Sequence, residues 1–580
     1  MVSSNSTRSS STSEGGSEEG VWKKSISITQ KSLEHNANFL QLGIEKFKPF
    51  LGPIAIVAFL LVYHGFLIAA GIHNYQKAAP LIYVTCFFWL CFIVNFLVST
   101  RQFQAVYDDM AGRLEKFAER RKFVPIGLKL AFAGALLAYT IIEAISQPTR
   151  LTGFAGYVFF LLFMVVFSRY PRKINWNIVT SALIFHYCLA IIILQWSTGR
   201  WFFEQLSKLI VGLLEYAQVG AKFVFGFIAD PPNICDLSPV FIFTSLQTLI
   251  YFSAVVALLF YFGIIQVALK KSCWFMKVLI GTTPVESVYA WACTFLGQSE
   301  APLVIRPYLE RMTDSELFAV LTSGFSCTGG TVFAAYVALG ACPESILTAS
   351  LLSAPMSLAC AKIMFPEQEE TKISDKNFNL DHETEERKGF FDTLCFAGVA
   401  LVPTVFAIGA TLVVVMSLLA FLDEVFFYIG DLIGYDGWSF QMLFGYAFFP
   451  LAYMMGITNN SHQTLLVAQL MGSKTAVNEF VAYDKLGQLQ KTHSLDPKSV
   501  LIATYALCGF SNFGSMGIQI EVIGGLAPGK KVNVARMVLR ALCAGAIACF
   551  MNATVAGILI SNPVICSNAN ANSTCFQIPK

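Results

Sequence analysis

The chain reads as an all-α polytopic membrane protein, and three observations predict that class. Of its 580 residues, 55% are hydrophobic and only 13% are charged. Its mean hydropathy of +0.60 lies well outside the range of a soluble chain of this length. Residues 51–71, 79–100 and 238–269 form runs that reach or exceed the roughly 20 apolar residues a helix needs to cross a bilayer. Each half of the chain also holds hydrophobic segments that are short or broken by Gly, Pro and polar residues: 281–297 with 322–340 in the first half, 465–483 with 503–517 in the second.

From the N-terminus, the first 36 residues are rich in Ser, Thr, Gly and Glu and lack an apolar core, so a cytosolic disordered tail is expected and not a signal peptide. Lys and Arg resist translocation, which makes basic clusters near span ends the guide to orientation. Lys46 and Lys48 precede the first span, the loop 101–122 carries Arg101, Arg113, Lys116, Arg120, Arg121 and Lys122, and Arg169, Arg172 and Lys173 follow the fourth span. Two spans separate each cluster from the next, so all three are expected inside. Residues 201–228 are mixed and amphipathic, a pattern suited to an interfacial or connecting helix. The charged stretch 366–388 reads as a solvated loop dividing the rest into two hydrophobic halves.

Most of the fifteen cysteines fall in apolar runs, where thiols pack as small hydrophobes. Cys566 and Cys575 bracket a polar C-terminal tail that also holds the sequon Asn572-Ser573-Thr574, which fits an extracellular tail. The net charge of +3 gives no indication of nucleic acid as a partner.

An ionisable side chain at membrane depth costs roughly 2.5 to 3.5 kcal/mol, so it needs a partner or a water-filled cavity. Glu300 follows Gly297-Gln298-Ser299 and precedes Ala301-Pro302, and Glu479 follows Asn478. Glycine and proline open the helix around the first of these acids. The alternative for both is a glutamate snorkelling at a helix end. A third polar island, 510–517, holds Asn512 and Ser515 between glycines. With Glu479 it offers several hydrogen bonds to a polyhydroxylated group such as a sugar, while Gln298, Ser299 and Glu300 suit a heteroaromatic edge. Alone, the island also reads as a small-residue helix-packing motif. Broken segments paired across two halves are a transporter pattern, in which freed backbone and half-helix ends hold a polar substrate.

These residues resemble a known family. Gly281-Thr-Thr-Pro-Val-Glu-Ser287 and Gly297-Gln-Ser-Glu-Ala-Pro-Leu-Val-Ile-Arg-Pro-Tyr308 are similar to the first re-entrant hairpin of the concentrative nucleoside transporters. Lys474 with Asn478-Glu-Phe-Val-Ala-Tyr483, 503–512 and 539–545 resemble the same family's motifs, and the resemblance runs from about 51 to about 562. It implies an inverted-repeat fold with two re-entrant hairpins and unwound helices, divided into scaffold and transport domains. It also implies a homotrimer in the plasma membrane, and no enzymatic activity. The corresponding layout is a tail and lead-in at 1–50, additional N-terminal transmembrane helices at 51–200 and interfacial or scaffold helices at 201–270. The first hairpin and repeat follow at 271–365, the polar loop at 366–388, scaffold helices at 389–457, the second hairpin and repeat at 458–560, and an extracellular tail at 561–580. Carried over by position, Gln298, Ser299, Glu300 and Val332 would meet a purine or pyrimidine base. Glu479, Asn512 and Ser515 would bind the ribose, with Phe510 lining the pocket. Ser299 stands where threonine is more usual and keeps the hydroxyl.

The chain departs from the family at the sodium site implied by the resemblance. Cys293 stands where an asparagine oxygen is expected, and Cys327 where a serine or threonine is expected. Backbone carbonyls near Leu296, Cys327 and Thr328 remain, with the hydroxyls of Ser326 and Thr328. Sodium is a hard cation that wants oxygen, whereas thiols suit soft metals, and two thiols alone make a poor zinc site. No cofactor is expected. The coupling ion is then a proton or absent, with Glu300 or Glu479 as the proton's carrier, or sodium held at a rearranged site. A nucleoside-sensing receptor that does not transport is the reading from another class. Residues 456–463 also carry two extra positions and lack an acidic group common in relatives.

Overall fold

The computed structural model describes residue 54, residues 57–79, isolated positions within 81–93 and 129–142, and 148–560 except 232–239, 374–377, 379–388, 435–437 and 458–459, together with Pro563. The N-terminal tail with Lys46 and Lys48, the basic loop 101–122, residues 379–388 of the polar loop, Thr458, and the tail bearing Cys566, Asn572 and Cys575 lie outside the described residues. Every regular element among the described residues is a helix.

The chain divides into two units, 1–125 and 126–580. In the first, helix α1 (Val57–His73) is tied to the segment that follows it. Tyr63 Oη shares a 2.6 Å hydrogen bond with Thr85 Oγ1, and Trp89 Nε1 donates to His64 Nε2 at 2.8 Å. These bonds join the first two predicted spans.

In the second unit, helical positions within 129–142 are followed by α2 (Pro148–Val166), a basic turn at Pro171–Lys173, and α3 (Trp176–Ala190), which continues as one wide turn over Ile191–Gln195. Next come α4 (Ser197–Phe225), α5 (Gln247–Tyr261) and α6 (Ile264–Ile280). Residues 238–269, predicted as one span, are therefore broken. Gly263 takes a φ of 73°, a left-handed conformation open to glycine, and ends α5 before α6 begins. The amphipathic stretch 201–228 lies within α4 and the short turn after it, with Glu204 and Lys208 paired on its exposed side.

An ordered set of elements then occurs twice. The first set is α7 (Pro284–Phe295), a tip at 296–300, the short α8 (Ala301–Val304) with a turn at Arg306–Arg311, α9 (Asp314–Ser326), a break at 327–329, α10 (Gly330–Ala338), and α11 (Pro343–Met364). Two helices, α12 (Phe390–Leu432) and α13 (Phe440–Met454), intervene. The second set is α14 (Ser461–Ala476), a tip at 477–478, α15 (Glu479–Lys491), α16 (Pro497–Leu507), a break at 508–512, α17 (Phe513–Leu526), and α18 (Lys531–Leu559). The order hairpin, broken helix, long helix is thus repeated without visible sequence repetition. Local chemistry accounts for the restarts. Asn478, Asp496 and Asn512 each accept a backbone N–H as the N-cap of α15, α16 and α17. Thr283 with Glu286 and Thr313 with Glu316 form capping boxes on α7 and α9.

Helices α11 and α18 are almost wholly buried. They pack on one another, and α9, α16, α2 and α3 pack around them, so the helices from residue 148 share one core with both hairpins. A stripe of hydroxyls on α11 bonds to its neighbours. Thr348 meets Tyr505 of α16, Ser353 accepts from Asn552 Nδ2 of α18 at 2.9 Å, and Ser357 meets Ser323 of α9 at 2.9 Å. Ser350 reaches Thr328 and Cys508, one residue from each helix break. Helix α12 differs: it pairs with α5 and leaves large side chains such as Phe391, Val413 and Phe421 exposed.

The two ends of this unit are chemically distinct. At one end Arg169 N donates to Met364 O at 3.0 Å, Ser315 Oγ to Phe365 O at 2.8 Å, and Lys530 Nζ to Met312 O at 2.7 Å. The same end holds a buried ion pair, Lys362 Nζ to Glu286 Oε1 at 2.5 Å, between α11 and α7. At the opposite end Cys342 precedes α11 and is disulfide-bonded. The ten other described cysteines carry no disulfide, so its partner lies outside the described residues. This disulfide was not singled out from sequence, where Cys566 and Cys575 drew attention instead.

Candidate functional site

Both hairpin tips and both helix breaks meet in one polar site, and glycine makes the approach possible. A Cβ on Gly329 would sit 2.4 Å from Gly297 Cα and 2.6 Å from Gly297 N, and one on Gly330 would sit 2.7 Å from Phe295 O. The first tip therefore rests backbone to backbone against the break between α9 and α10. Helices α15 and α17 start at the second tip and the second break, so their N-terminal N–H groups and positive dipole ends belong to the site.

A continuous chain of hydrogen bonds crosses these discontinuities. Gln298 Nε2 donates to Ser515 Oγ at 3.1 Å. Ser515 N donates to Asn512 Oδ1 at 2.8 Å, the cap of α17. Asn512 Nδ2 donates to Glu479 Oε2 at 2.8 Å, and the other carboxylate oxygen, Oε1, accepts from Tyr336 Oη at 3.1 Å. Asn512 thus caps a helix with one atom and holds a carboxylate with the other. Gln298, Glu479, Asn512 and Ser515 are all buried, and each satisfies its neighbour as buried polar groups require.

The other predicted residues surround this chain. Val332 and Phe510 are buried, on the first turn of α10 and in the second break. Ser299 is exposed and Glu300 partly buried at the first tip. Cys293, Leu296, Cys327 and Thr328 are all buried. The Cys327 thiol lies against Cys293. Thr328 Oγ1 bonds to Ser350 and, at 3.0 Å, to Cys508 Sγ. Ser326 Oγ donates to Ser323 O at 3.2 Å. The described residues contain no group of three or more His, Cys, Asp or Glu able to hold a metal ion.

Three participants had no assigned role from sequence. Tyr336 lies one turn after Val332 on the same face of α10, and its ring packs against Tyr483 and Phe480, with centroids 4.7 and 5.1 Å away. Lys474, which the sequence offers only as part of a motif, is buried and donates to Ala506 O at 2.9 Å. Its cation meets the negative end of α16 and attracts the Glu479 carboxylate. Gln519, one turn after Ser515 and fully buried, points Nε2 at Gln298 Oε1 across 3.4 Å. The i, i+4 spacing from Val332 and from Ser515 was the available signal for the first and last of these.

Residues 345–557 match the family described as Na+ dependent nucleoside transporter C-terminus, 155–228 match its N-terminus, and 242–342 match a nucleoside recognition gate. Solute carrier family 28 member 3 of Eptatretus stoutii is 34% identical over 554 residues, covering 91% of this chain and 77% of that protein. The human member 3 is 34% identical over 515 residues, with 86% and 72% covered, and sodium/nucleoside cotransporter 2 of Rattus norvegicus is 30% identical, with 86% and 76% covered. Among solved structures, CNTnw in an inward-facing substrate-bound state superposes with a TM-score of 0.67 at 30% identity, over 71% of this chain and 98% of that one. A doubly substituted CNTnw in an outward-facing state gives 0.68, with the same identity and coverage. The repeated hairpins, the polar chain between them and these relatives together show that the chain belongs to the concentrative nucleoside transporter family, multi-pass membrane carriers and not enzymes.

Proposed function

We propose that the protein imports nucleosides across the plasma membrane by elevator-type alternating access, with sodium coupling weakened or lost. The observation that carries the substrate reading is the bonded chain Gln298–Ser515–Asn512–Glu479–Tyr336, which links both tips to the second break. Glu479, Asn512 and Ser515 take the ribose, with Phe510 as an apolar wall. Gln298, Ser299 and Glu300, beside Val332, take the base. The exposed position of Ser299 leaves it free to meet the base, with the partly buried Glu300 beside it. Alternating access is supported by relatives solved in inward-facing and outward-facing states. The exposed apolar face of α12 is consistent with lipid contact and with the homotrimer implied by the resemblance.

The orientation reading puts the basic end, with Arg169, Arg172 and Lys173, in the cytosol. The Cys342 disulfide then belongs to the oxidising outer face. Gln195 Nε2 donates to Leu559 O at the far end of α18 from Lys530, which supports an external C-terminal tail, while the cytosolic N-terminus rests on the basic clusters of the sequence.

The coupling reading rests on the two thiols that replace hard oxygen donors at Cys293 and Cys327. Proton coupling or uncoupled transport follows, with Glu300 or Glu479 as the proton's carrier in the coupled case. Sodium symport through a rearranged site is the second reading, favoured by the relatives named as sodium/nucleoside cotransporters. Uptake of labelled uridine into proteoliposomes, in sodium against choline at two pH values, tests both. Uptake independent of sodium is expected. A strong sodium requirement would overturn the coupling reading, and absence of uptake under every condition would leave the receptor reading in its place.

A further inference from the structure

Glycine in the interior of a helix costs stability relative to alanine, yet Gly324 lies in the last turns of α9, within Asp314–Ser326. A Cβ there would fall 2.3 Å from Gln519 Nε2 and 3.2 Å from the Tyr289 hydroxyl. The absent methyl is what gives the Gln519 amide its place. That amide is an expensive occupant: it is fully buried, and its Oε1 has no hydrogen-bond partner, a condition folds pay to keep. Its Nε2 faces Gln298 Oε1 across a long 3.4 Å and also lies beside the Tyr289 hydroxyl.

We infer that Gln519 is a positioning residue that sets base selectivity by fixing which way round the Gln298 amide lies. The inference rests on the reading of Gln298 as a base contact. Two side chains of α17, one turn apart, grip the two ends of that amide. Ser515 Oγ takes its nitrogen at 3.1 Å and Gln519 Nε2 takes its oxygen. An amide held this way offers a base one remaining N–H and one remaining lone pair in fixed positions, and turning it over exchanges them. Keto-bearing bases and amino-bearing bases present opposite patterns on the corresponding edge, so a fixed amide discriminates between them and a rotating one does not. Turning Gln298 over alone would set its nitrogen against the Gln519 nitrogen, two donors face to face, so the two amides can turn only together.

The test measures initial uptake of uridine, cytidine, inosine and adenosine over a concentration range in proteoliposomes, normalised to reconstituted full-length protein. Gln519→Leu should move the uridine-to-cytidine and inosine-to-adenosine ratios of transport efficiency toward one. The expected shift is about fivefold, the weight of one neutral hydrogen bond, and it should reside in KM. Gly324→Ala should shift the ratios in the same direction by displacing the amide, and should add nothing in a Gln519→Ala background, where the space is already free. Unchanged ratios in Gln519→Leu, or an equal loss for all four nucleosides, would overturn the inference. Gln298→Ala separates the two levels. If it leaves the ratios unchanged, the base-contact reading fails; if it alters them while Gln519→Leu does not, only the positioning role of Gln519 fails.

Discussion

Replacing Glu479 with glutamine removes a charge while keeping the shape of the site. The glutamine oxygen still accepts from Asn512 Nδ2, and its nitrogen donates to the Tyr336 oxygen, so both bonds to the present carboxylate have successors. What disappears is the ionic part of any bond from a ribose hydroxyl. A hydrogen bond to a charged group is worth about 1.5 to 3 kcal/mol and a neutral one about 1 kcal/mol. The difference, roughly 0.5 to 2 kcal/mol, corresponds to about 2- to 30-fold in transport efficiency. Glu479→Ala loses the whole bond, for about 10- to 150-fold. Initial uridine uptake in proteoliposomes, fitted for KM and maximal rate, reads this series, with thermal unfolding of the same preparations alongside. Glu479→Gln should change the Tm little, because the buried charge it removes also leaves Lys474 without the carboxylate it attracts. Normal transport by both variants, or a fall in Tm that tracks the fall in uptake, would refute the reasoning.

Three further outcomes are expected. Glu300→Gln should lower uptake by about 2- to 30-fold, the difference between a charge-assisted and a neutral bond, with surface abundance unchanged; normal uptake removes Glu300 from the site. Gly329→Ala drives a methyl into the Gly297 backbone at 2.4 Å, where no flexible side chain can yield. It should destabilise by about 1 to 3 kcal/mol and reduce uptake more than abundance, as shown by transport normalised to surface protein. Lys362→Met strands the Glu286 carboxylate and should cost about 3 to 5 kcal/mol, much of it recovered by adding Glu286→Leu; thermal unfolding of the two variants in detergent decides it.

The sequence made the spans and the two polar tips legible for the same reason: hydropathy is additive along the chain, and a polar residue in an apolar run is conspicuous. Gly297-Gln298-Ser299-Glu300 and Asn478-Glu479 stood out on that ground. The end of α5 did not, because the left-handed turn at Gly263 is a matter of backbone angle that an apolar window averages away. Tyr336 and Gln519 were invisible for a different reason. A tyrosine or a single glutamine in an apolar helix looks like core, and its role depends on a partner more than a hundred residues away. Glu286 and Lys362 show the same limit: each reads as an ordinary helix-end charge until α7 and α11 are brought together.

The hydroxyl stripe of α11 carries a practical consequence for handling the protein outside its native membrane. Thr348, Ser350, Ser353 and Ser357 join α9, α16, α18 and the two breaks through short polar bonds between close-packed helices, contacts that draw little on the surrounding lipid. Detergent has no more favourable partner to offer them. Helix α12, whose apolar surface is largely open, depends on what solvates it. Harsh solubilisation should therefore strip contacts made by α12 first and leave the hairpin core folded, so a preparation can keep its nucleoside affinity after it has lost the capacity to move cargo.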